Sequence, residues 1–359
     1  MQAVILAGGQ GTRLRPLTST VPKPVVTLVD RPFIQYMLQW LRDHEVAEVI
    51  MSCGFLAGGV RDVLGDGSSI GIRIRYVEEP EPLGTGGAVK LAEPMLDETF
   101  LMLNGDVLTD IDLSGQLQAH RENGAQATLA LVPVEDTSSY GLVLLDARGA
   151  VKRFVEKPKD PIPGENLISA GAYVLQRDVL DLIEPGKKIS IERDIWPKLI
   201  GHGLYGYPGK RYWIDIGTPE RYLEGSFDIV AGRMPGGPAE PVAADAVVLG
   251  ELEAECVVGS GARIAAGAKV GPRAVIGPDV TIGPGATVQH SVLLAGVSVG
   301  AGARINGSIL APGASVGEGA VLEDDCVIGE NVEIGAGNVL TGGARIFPGV
   351  GFPDAAAAR

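Results

Sequence analysis

A glycine-rich segment near the N terminus carries a concentration of fixed positive charge. Residues 6–18 read Leu-Ala-Gly-Gly-Gln-Gly-Thr-Arg-Leu-Arg-Pro-Leu-Thr, and Pro-Lys-Pro follows at 22–24. Glycines after an apolar run let the backbone approach a phosphate closely and present N–H groups to it. Because Arg13, Arg15 and Lys23 lie in the same segment, it suits a polyanion such as a nucleoside triphosphate. It is not a Walker A loop, because no Gly-Lys-Ser/Thr follows, and it is not the dinucleotide fingerprint, because Leu14 stands where the third glycine belongs.

Two aspartates end apolar runs elsewhere in the first half of the chain. Asp106 closes the run Phe-Leu-Met-Leu-Asn-Gly-Asp, and Asp215 follows Tyr-Trp-Ile. Two carboxylates at strand ends can share one Mg²⁺, which takes oxygen ligands and bridges phosphates, although a single such Asp is more often a turn or cap residue. Asp110 and Asp112 flank a predicted helix start and are interpreted as caps.

A charge pair, Glu156 and Lys157, follows another apolar-rich run at 151–155. Such a pair at the end of a predicted strand is either a functional pair or the end of a surface hairpin. The sequence offers no Ser–His or Cys–His pair that would indicate catalysis through a covalent enzyme intermediate.

The elements that must position these residues alternate along the chain. Runs rich in Val, Ile and Leu predict strands at 3–6, 48–52, 73–77 and 99–103, and helical patterns cover 33–44, 55–64 and 86–96. Such alternation indicates an α/β domain with a mainly parallel sheet, in which ligands bind at the carboxyl ends of the strands. We predict a Rossmann-like domain at residues 1–233, because the motifs follow these strands.

The second half has a six-residue repeat. Aliphatic residues stand in phase at Val258, Ile264, Val270, Ile276, Ile282, Val288 and Leu294, and again at Val316, Leu322, Ile328, Ile334, Leu340 and Ile346. The pattern resembles the hexapeptide repeat of the left-handed parallel β-helix, with one hexad on each face of a triangular coil. It predicts about five coils at residues 242–351, a linker at 234–241 and a tail at 352–359.

Small residues precede the repeated aliphatic positions by two. Cys256 and Cys326 occupy this slot and are interpreted as packing residues. His290 is a candidate acyltransferase base only if partners exist, and otherwise is a solvated coil residue. Cys53 is the third cysteine, and the sequence contains no CxxC pair.

Composition excludes several classes of protein. The net charge is −14, which argues against nucleic-acid and membrane-surface partners, because both require excess Lys and Arg. We expect a soluble, reduced, cytoplasmic protein.

The motifs together resemble those of the sugar-1-phosphate nucleotidyltransferases. The similarity continues through residues 82–87 (Pro-Leu-Gly-Thr-Gly-Gly), 103–106, 140–141, 154–158 and 212–219. The resemblance implies that a sugar 1-phosphate attacks a nucleoside triphosphate, giving an NDP-sugar and pyrophosphate with Mg²⁺ as cofactor. Separately, the open coil ends and flat faces of the predicted β-helix favour stacking against another copy or against the catalytic domain, and we expect a homo-oligomer.

The resemblance also implies the roles of individual residues. The nucleotide would be bound by Leu6, Ala7, Gly8, Gly9, Gly11, Thr12, Arg13, Lys23, Glu79 and Gly84. The sugar phosphate would be bound by Gly141, Glu156, Lys157 and Ser169. Arg13, Lys23, Asp106 and Lys157 would act in catalysis, and Asp106 and Asp215 would hold the metal.

Among the substrates that the resemblance implies, we expect GTP and mannose 1-phosphate to be favoured. An ionised Glu79 accepts from both donors of guanine, N1–H and the N2 amino group, whereas relatives using thymidine or uridine triphosphate tend to carry Gln there. The sequence has Ser-Ala-Gly at 169–171 where the guanylyltransferase pattern has Asn-Ala-Gly. Thymidylyl or uridylyl transfer to glucose 1-phosphate is the alternative. A silent regulatory binder and a bifunctional acetyltransferase are the other hypotheses.

Overall fold

The computed structural model describes residues 1–355, which form two compact units. The first comprises Met1–Gln10 and Ile34–Ile214, and the second comprises Gly11–Phe33 and the chain from Asp215 onward. Residues of the predicted tail after 355 lie outside the described part. Within residues 1–355, no helix is both long and apolar enough to cross a membrane.

Thirteen strands lie before residue 216, and most of them form one sheet. They are β1 Gln2–Ala7, β2 Thr27–Leu28, β3 Arg31–Pro32, β4 Glu48–Cys53, β5 Arg73–Glu78, β6 Thr99–Asn104, β7 Val107–Thr109, β8 Ala127–Pro133, β9 Gly141–Leu145, β10 Val151–Glu156, β11 Leu167–Gln176, β12 Leu204–Pro208 and β13 Trp213–Asp215. The nine-stranded sheet has the order β10-β9-β11-β6-β1-β4-β5, and β8 pairs with β11 and β12.

The centre of this sheet is parallel. Strand β1 runs parallel to β4 and β6, and β4 runs parallel to β5. Strand β11 is antiparallel to β6 and β8, so the sheet is mixed away from its centre. The four predicted strands are all present, and the predicted Rossmann-like architecture is confirmed.

Six α-helices accompany the strands: α1 Phe33–Asp43, α2 Ala57–Leu64, α3 Gly84–Ala92, α4 Leu113–Glu122, α5 Trp196–Leu199 and α6 Pro219–Val230. The predicted apolar face of α1 is buried, with Ile34, Leu38 and Leu41 fully inaccessible. Helix α3 gives way to a 3₁₀ turn at Glu93–Met95, and Pro94 explains why, because it has no N–H for the helix.

Short strands dominate the second unit. They are β14 Val247–Val248, β15 Glu251–Leu252, β16 Cys256–Val258, β17 Arg263–Ile264, β18 Lys269–Val270, β19 Ala274–Ile276, β20 Thr281–Ile282, β21 Thr287–Gln289, β22 Ser291–Leu293, β23 Ser298–Val299, β24 Arg304–Asn306, β25 Ile309–Leu310, β26 Ser315–Val316, β27 Val321–Leu322, β28 Val327–Ile328, β29 Glu333–Ile334, β30 Val339–Leu340, β31 Arg345–Ile346 and β32 Gly351–Phe352.

These strands form a triangular coil. Each strand pairs in parallel with the third strand after it, giving sheets of seven, six and six strands. The arrangement confirms the predicted hexapeptide β-helix. The β-helix begins before Val258, the first residue counted in the repeat, because Leu252 already packs against its core. The coil number is therefore about six rather than five. Helix α6 contacts β19 and β22 of the same unit.

The interior of the β-helix is a column of aliphatic and small side chains. Cys326 is buried in this column and Cys256 packs against it, as predicted. His290 is exposed, and its Nδ1 lies 3.3 Å from Asn306 Oδ1. The structure thus agrees with a solvated coil residue at His290.

The column makes a prediction about stability. Val288 is 0% exposed and Val339 is 65% exposed, and their strands, β21 and β30, belong to one sheet. We expect Val288→Ala to lower the free energy of unfolding by about 1.5–3 kcal/mol, because it removes buried methyl groups and leaves a cavity. Val339→Ala is the matched control and should change it by less than about 0.5 kcal/mol. Chemical denaturation of the full chain measures both, and equal effects would contradict the inward placement of Val288.

Candidate functional site

Glycines allow the strand ends of the first unit to approach one another. Gly8 follows β1, and a Cβ there would overlap Glu79 Oε1. A Cβ on Gly54 would come 2.9 Å from Gly8 O, and one on Gly105 would come 2.6 Å from Leu6 O. The Gly105 N–H also donates to Leu6 O at 2.9 Å. The predicted phosphate loop therefore begins where backbones pack closely, and Gly8 has no room for a side chain.

The carboxylate of Glu79 lies against this loop. It accepts hydrogen bonds from the Leu83 N–H at 3.1 Å and the Ser52 hydroxyl at 3.4 Å. Burial raises the pKa of Glu79, while those two hydrogen bonds oppose the increase. The structure therefore brings two predicted nucleotide residues, Gly8 and Glu79, into contact.

Gly84 begins α3 in the left-handed region, at φ +70°. A Cβ on it would lie 2.6 Å from Ile189 O, which also accepts from the Gly86 N–H at 2.9 Å. Thr85 Oγ1 donates to Glu192 Oε2 at 2.7 Å. The segment that contains Ile189 and Glu192 therefore supports the start of α3, and sequence reasoning did not identify it. The available signal was Ser190, which caps the π-helical turn Ile191–Ile195 and is a residue type that marks helix starts.

Predicted sugar-phosphate residues also meet. Gly141 and Glu156 are paired across β9 and β10, and a Cβ on Gly141 would lie 3.1 Å from Glu156 Oε2. Burial and the nearby Glu192 carboxylate raise the pKa of Glu156, and Lys157 and Arg193 oppose that shift. Lys157 has φ +52°, and its N–H donates to Tyr140 O at 3.0 Å. The result is a cluster of two acidic and two basic side chains.

Ser169 lies in β11 and its hydroxyl is 3.0 Å from the Tyr173 hydroxyl. The strand pairing shifts register between these two residues. Trp213 Nε1 donates to Ala170 O at 2.8 Å, and the Trp213 ring packs edge-to-face on Tyr140 at 5.1 Å. Sequence reasoning gave no role to Trp213, although it stands in the motif 212–219.

Asn104 is a second residue that sequence reasoning did not single out. A Cβ on Gly171, which has φ +74°, would come 2.9 Å from Asn104 Nδ2. In the structure described, Asn104 Oδ1 is buried without a hydrogen-bond partner. Its place in the motif Leu-Asn-Gly-Asp at 103–106 was the available signal.

The acidic residues near Asp106 have different roles. Asp112 caps α4 by accepting from the Gly115 N–H at 3.0 Å, as predicted. The prediction for Asp110 was wrong: its Oδ1 accepts from the Tyr212 N–H at 2.8 Å. It thereby fastens the chain leading into β13, and β13 pairs with β7, the strand that begins after Asp106.

The second unit holds the basic part of the loop. Gly11 has φ +59°, and its carbonyl accepts from Thr18 Oγ1 at 2.7 Å. A Cβ on Gly11 would lie 3.1 Å from Lys23 Cβ. Thr12–Leu14 forms a 3₁₀ turn directly after Gly11. These contacts fold residues 11–23 back on themselves, so that Gly11 and Lys23 are neighbours.

Arg13 and Asp215 face a common glycine. A Cβ on Gly217 would come 2.8 Å from Arg13 Nη2 and 2.9 Å from Asp215 Oδ2. The guanidinium predicted to bind triphosphate is thus close to the carboxylate predicted to bind metal. Over residues 1–355, no group of three or more His, Cys, Asp or Glu side chains is arranged to hold a metal ion.

The family is established by comparison with known proteins. The model described as Nucleotidyl transferase matches residues 2–231. The chain belongs to the nucleotidyl transferase family. A second model, GMPPB C-terminal domain, matches residues 252–350. The predicted family and enzyme class are confirmed.

Several curated proteins are similar to this chain over 62–74% of its length. The mannose-1-phosphate guanylyltransferase of Mycobacterium tuberculosis is 41% identical over 239 residues, covering 66% of each chain. The probable mannose-1-phosphate guanylyltransferase 1 of Oryza sativa is 37% identical over 273 residues, covering 74% of each. The UTP–glucose-1-phosphate uridylyltransferase of a Synechocystis strain is 35% identical over 240 residues, covering 62% of each.

A solved structure shares the fold of the first half. HddC from Yersinia pseudotuberculosis is 32% identical, with a TM-score of 0.55, and the match covers 63% of this chain and 97% of HddC. A further HddC structure is complexed with GMP-PN.

The contacts of Gly217 give a test of the arrangement around it. Gly217→Ala should displace the Arg13 guanidinium or the Asp215 carboxylate, because the new methyl group would come within 3 Å of both. We expect kcat/KM for nucleotidyl transfer to fall by up to about 100-fold, the scale of a displacement of about 1 Å. Gly58→Ala in α2 is the control, since no atom lies within 4 Å of its added Cβ. Steady-state kinetics of both variants decide the matter, and wild-type turnover by Gly217→Ala would contradict the account.

Proposed function

We propose that the protein condenses a nucleoside triphosphate with a sugar 1-phosphate, with GTP and mannose 1-phosphate favoured. An oxygen of the sugar phosphate attacks the α-phosphorus, the bond to the β-phosphate breaks, and NDP-sugar and pyrophosphate form. One observation carries the proposal: Arg13, which follows the glycine loop, and Asp215 both approach Gly217. The attacking oxygen is already anionic, so binding and charge neutralisation suffice without a side-chain nucleophile.

The nucleotide is assigned to the glycine loop and its flanks. Leu6, Ala7, Gly8, Gly9, Gly11 and Thr12 offer backbone to the phosphates, Arg13 and Lys23 offer charge, and Glu79 and Gly84 bind the nucleoside. Support comes from the contact of Glu79 with Gly8 and from the fold of Gly11 onto Lys23. These groups bind and orient the triphosphate.

The metal is assigned to Asp106 and Asp215. Mg²⁺ is usually held by one or two carboxylates together with substrate phosphates, so a two-carboxylate donor set fits it even though the described residues form no larger cluster. When bound, the ion neutralises phosphate charge. Asp215 and Arg13 both approach Gly217, which supports a common site for the metal and the triphosphate.

The sugar phosphate is assigned to Gly141, Glu156, Lys157 and Ser169. Lys157 neutralises the phosphate, and Glu156 accepts from sugar hydroxyls. The approach of Gly141 to Glu156 supports a shared site. Ser169 is already within hydrogen-bond distance of Tyr173, so its hydroxyl offers less to a sugar than the amide of Asn would.

Glucose 1-phosphate with UTP or dTTP is the second candidate. The similarity to a uridylyltransferase and the Ser-Ala-Gly sequence at 169–171 favour it. Glu79 favours guanine, which offers two hydrogen-bond donors to a carboxylate. Uracil and thymine would instead place a carbonyl oxygen against the half-buried carboxylate, so that two acceptors would face each other.

We further propose the arrangement of the whole protein. Residues 1–233 form the catalytic domain, 234–241 the linker and 242–351 the β-helix, which mediates assembly of a homo-oligomer in the cytoplasm. Family matches at 2–231 and 252–350 support the two functional regions. The compact units divide the chain differently, since residues 11–33 group with the β-helix.

One assay matrix tests the reaction and its specificity. Purified protein with Mg²⁺, each of four nucleoside triphosphates plus dTTP, and the 1-phosphates of mannose, glucose and N-acetylglucosamine should release pyrophosphate fastest with GTP and mannose 1-phosphate. Glu79→Gln should move the preference towards UTP or dTTP by about 5- to 150-fold, equivalent to about 1–3 kcal/mol. A wild type that prefers UTP would overturn the guanine assignment, and no release with any pair would overturn the reaction.

The metal assignment has its own test. Asp106→Asn and Asp215→Asn should abolish turnover and the response to Mg²⁺ while leaving the circular dichroism spectrum unchanged. Asp112→Asn is the matched control, because asparagine caps a helix as well as aspartate does. If Asp215→Asn keeps its Mg²⁺ dependence, another residue is the ligand.

A further inference from the structure

The basic loop segment packs with the β-helix. Gly11–Phe33, which contains Arg13 and Lys23, belongs to the same compact unit as the β-helix coils. Apolar side chains of the segment and of the coils line a common cleft, among them Leu17, Val21 and Val25 from the segment, and Leu294, Ala311 and Pro312 from the coils. The contact is therefore built from side chains, and does not follow only from chain connectivity.

One polar contact joins the two sides of this cleft. Thr20 Oγ1 donates to Glu330 Oε2 at 2.9 Å, across 310 residues of sequence. Glu330 follows β28, at a turn of the coil. A carboxylate acceptor strengthens such a hydrogen bond. Thr20 lies between Arg13 and Lys23 in the chain, closer to Lys23, so this contact restrains the segment that carries both charges.

The far end of the segment is held by the same unit. Tyr222 Oη donates to Thr27 O at 2.6 Å, and Arg31 Nη2 donates to Gly236 O at 3.0 Å. The Tyr222 side chain is 1% exposed, so that anchor is rigid. Between Gly11 and Thr27, the contact of Thr20 with Glu330 is one by which a charged side chain of the β-helix coils holds the loop.

We propose that Glu330 is a positioning residue for the triphosphate, acting through Thr20 on the segment that carries Arg13 and Lys23. The inference rests on the proposed function and adds a role for the β-helix beyond assembly. Charge contacts act at full strength only when held within about 0.5 Å of their place. A coil of the β-helix thereby contributes to nucleotide affinity without touching the nucleotide.

The test separates loss of the hydrogen bond from loss of charge. Thr20→Val and Glu330→Ala remove the bond, whereas Thr20→Ser and Glu330→Gln retain a donor and an acceptor. Glu318→Ala is the control, an exposed glutamate on a neighbouring coil turn. All are made in the full chain.

Two measurements are made on each variant. Hydrogen–deuterium exchange of peptides covering residues 11–33, without substrate, should accelerate about 2- to 10-fold in the two disrupting variants. Calorimetric titration with Mg²⁺ and GTP alone should show a weaker dissociation constant by a similar factor, while that for mannose 1-phosphate stays unchanged. The double variant should resemble either single one, since both break the same contact.

The outcomes distinguish this inference from the proposed function. Wild-type behaviour of Thr20→Ser, Glu330→Gln and Glu318→Ala alongside weakened GTP binding by the disrupting variants supports it. Unchanged GTP affinity in Thr20→Val and Glu330→Ala overturns it, even if exchange accelerates. If the wild-type protein binds no GTP, the guanine assignment is wrong. If, in addition, Thr20→Val and Glu330→Ala leave the exchange of residues 11–33 unchanged, the contact of Thr20 with Glu330 does not hold the loop either.

Discussion

The arrangement of Arg13 and Asp215 around Gly217 is the constraint on which the proposed chemistry depends. A chain with a net charge of −14 does not attract a triphosphate as a whole, so cations must be gathered and fixed where the triphosphate binds. A guanidinium close to a carboxylate is held in place by it, and the missing side chain at Gly217 gives both groups room. Preorganised charge of this kind costs no rearrangement when the reaction begins, and in the proposed reaction the sugar phosphate supplies the nucleophile, so no side-chain nucleophile is required.

Backbone packing in the first unit serves the same end. The parallel strands β1, β4 and β6 bring their carboxyl ends together, and glycines at 8, 54 and 105 let the following turns approach within contact distance. The Glu79 carboxylate occupies the space that a side chain at Gly8 would fill, and burial there raises the pKa of Glu79. The residues proposed to bind the sugar phosphate are assembled similarly, since the absent side chain at Gly141 leaves room for Phe154 and Glu156 of the paired strand.

Local patterns predicted much of this, and long-range partners account for what they missed. Alternating strands and helices, and aliphatic residues every six positions, are written in neighbouring residues, so the sheet and the β-helix could be predicted. The glycine loop and Glu79 could be named from their motifs. Asp110 was misread as a cap because its partner, Tyr212, is 102 residues away. The grouping of residues 11–33 with the β-helix likewise depends on contacts such as that of Thr20 with Glu330, which no periodicity records.

The central claim is a single displacement driven by positioned charge, without a covalent intermediate. The stereochemical course at the α-phosphorus tests it most directly. The protein would be given one diastereomer of the α-thio analogue of its preferred nucleotide together with the sugar 1-phosphate, and the configuration of the NDP-sugar product would be determined by ³¹P NMR. The account predicts inversion, because one attack from the side opposite the leaving pyrophosphate inverts phosphorus once. Retention would require two displacements through an enzyme-bound nucleotidyl group and would contradict it.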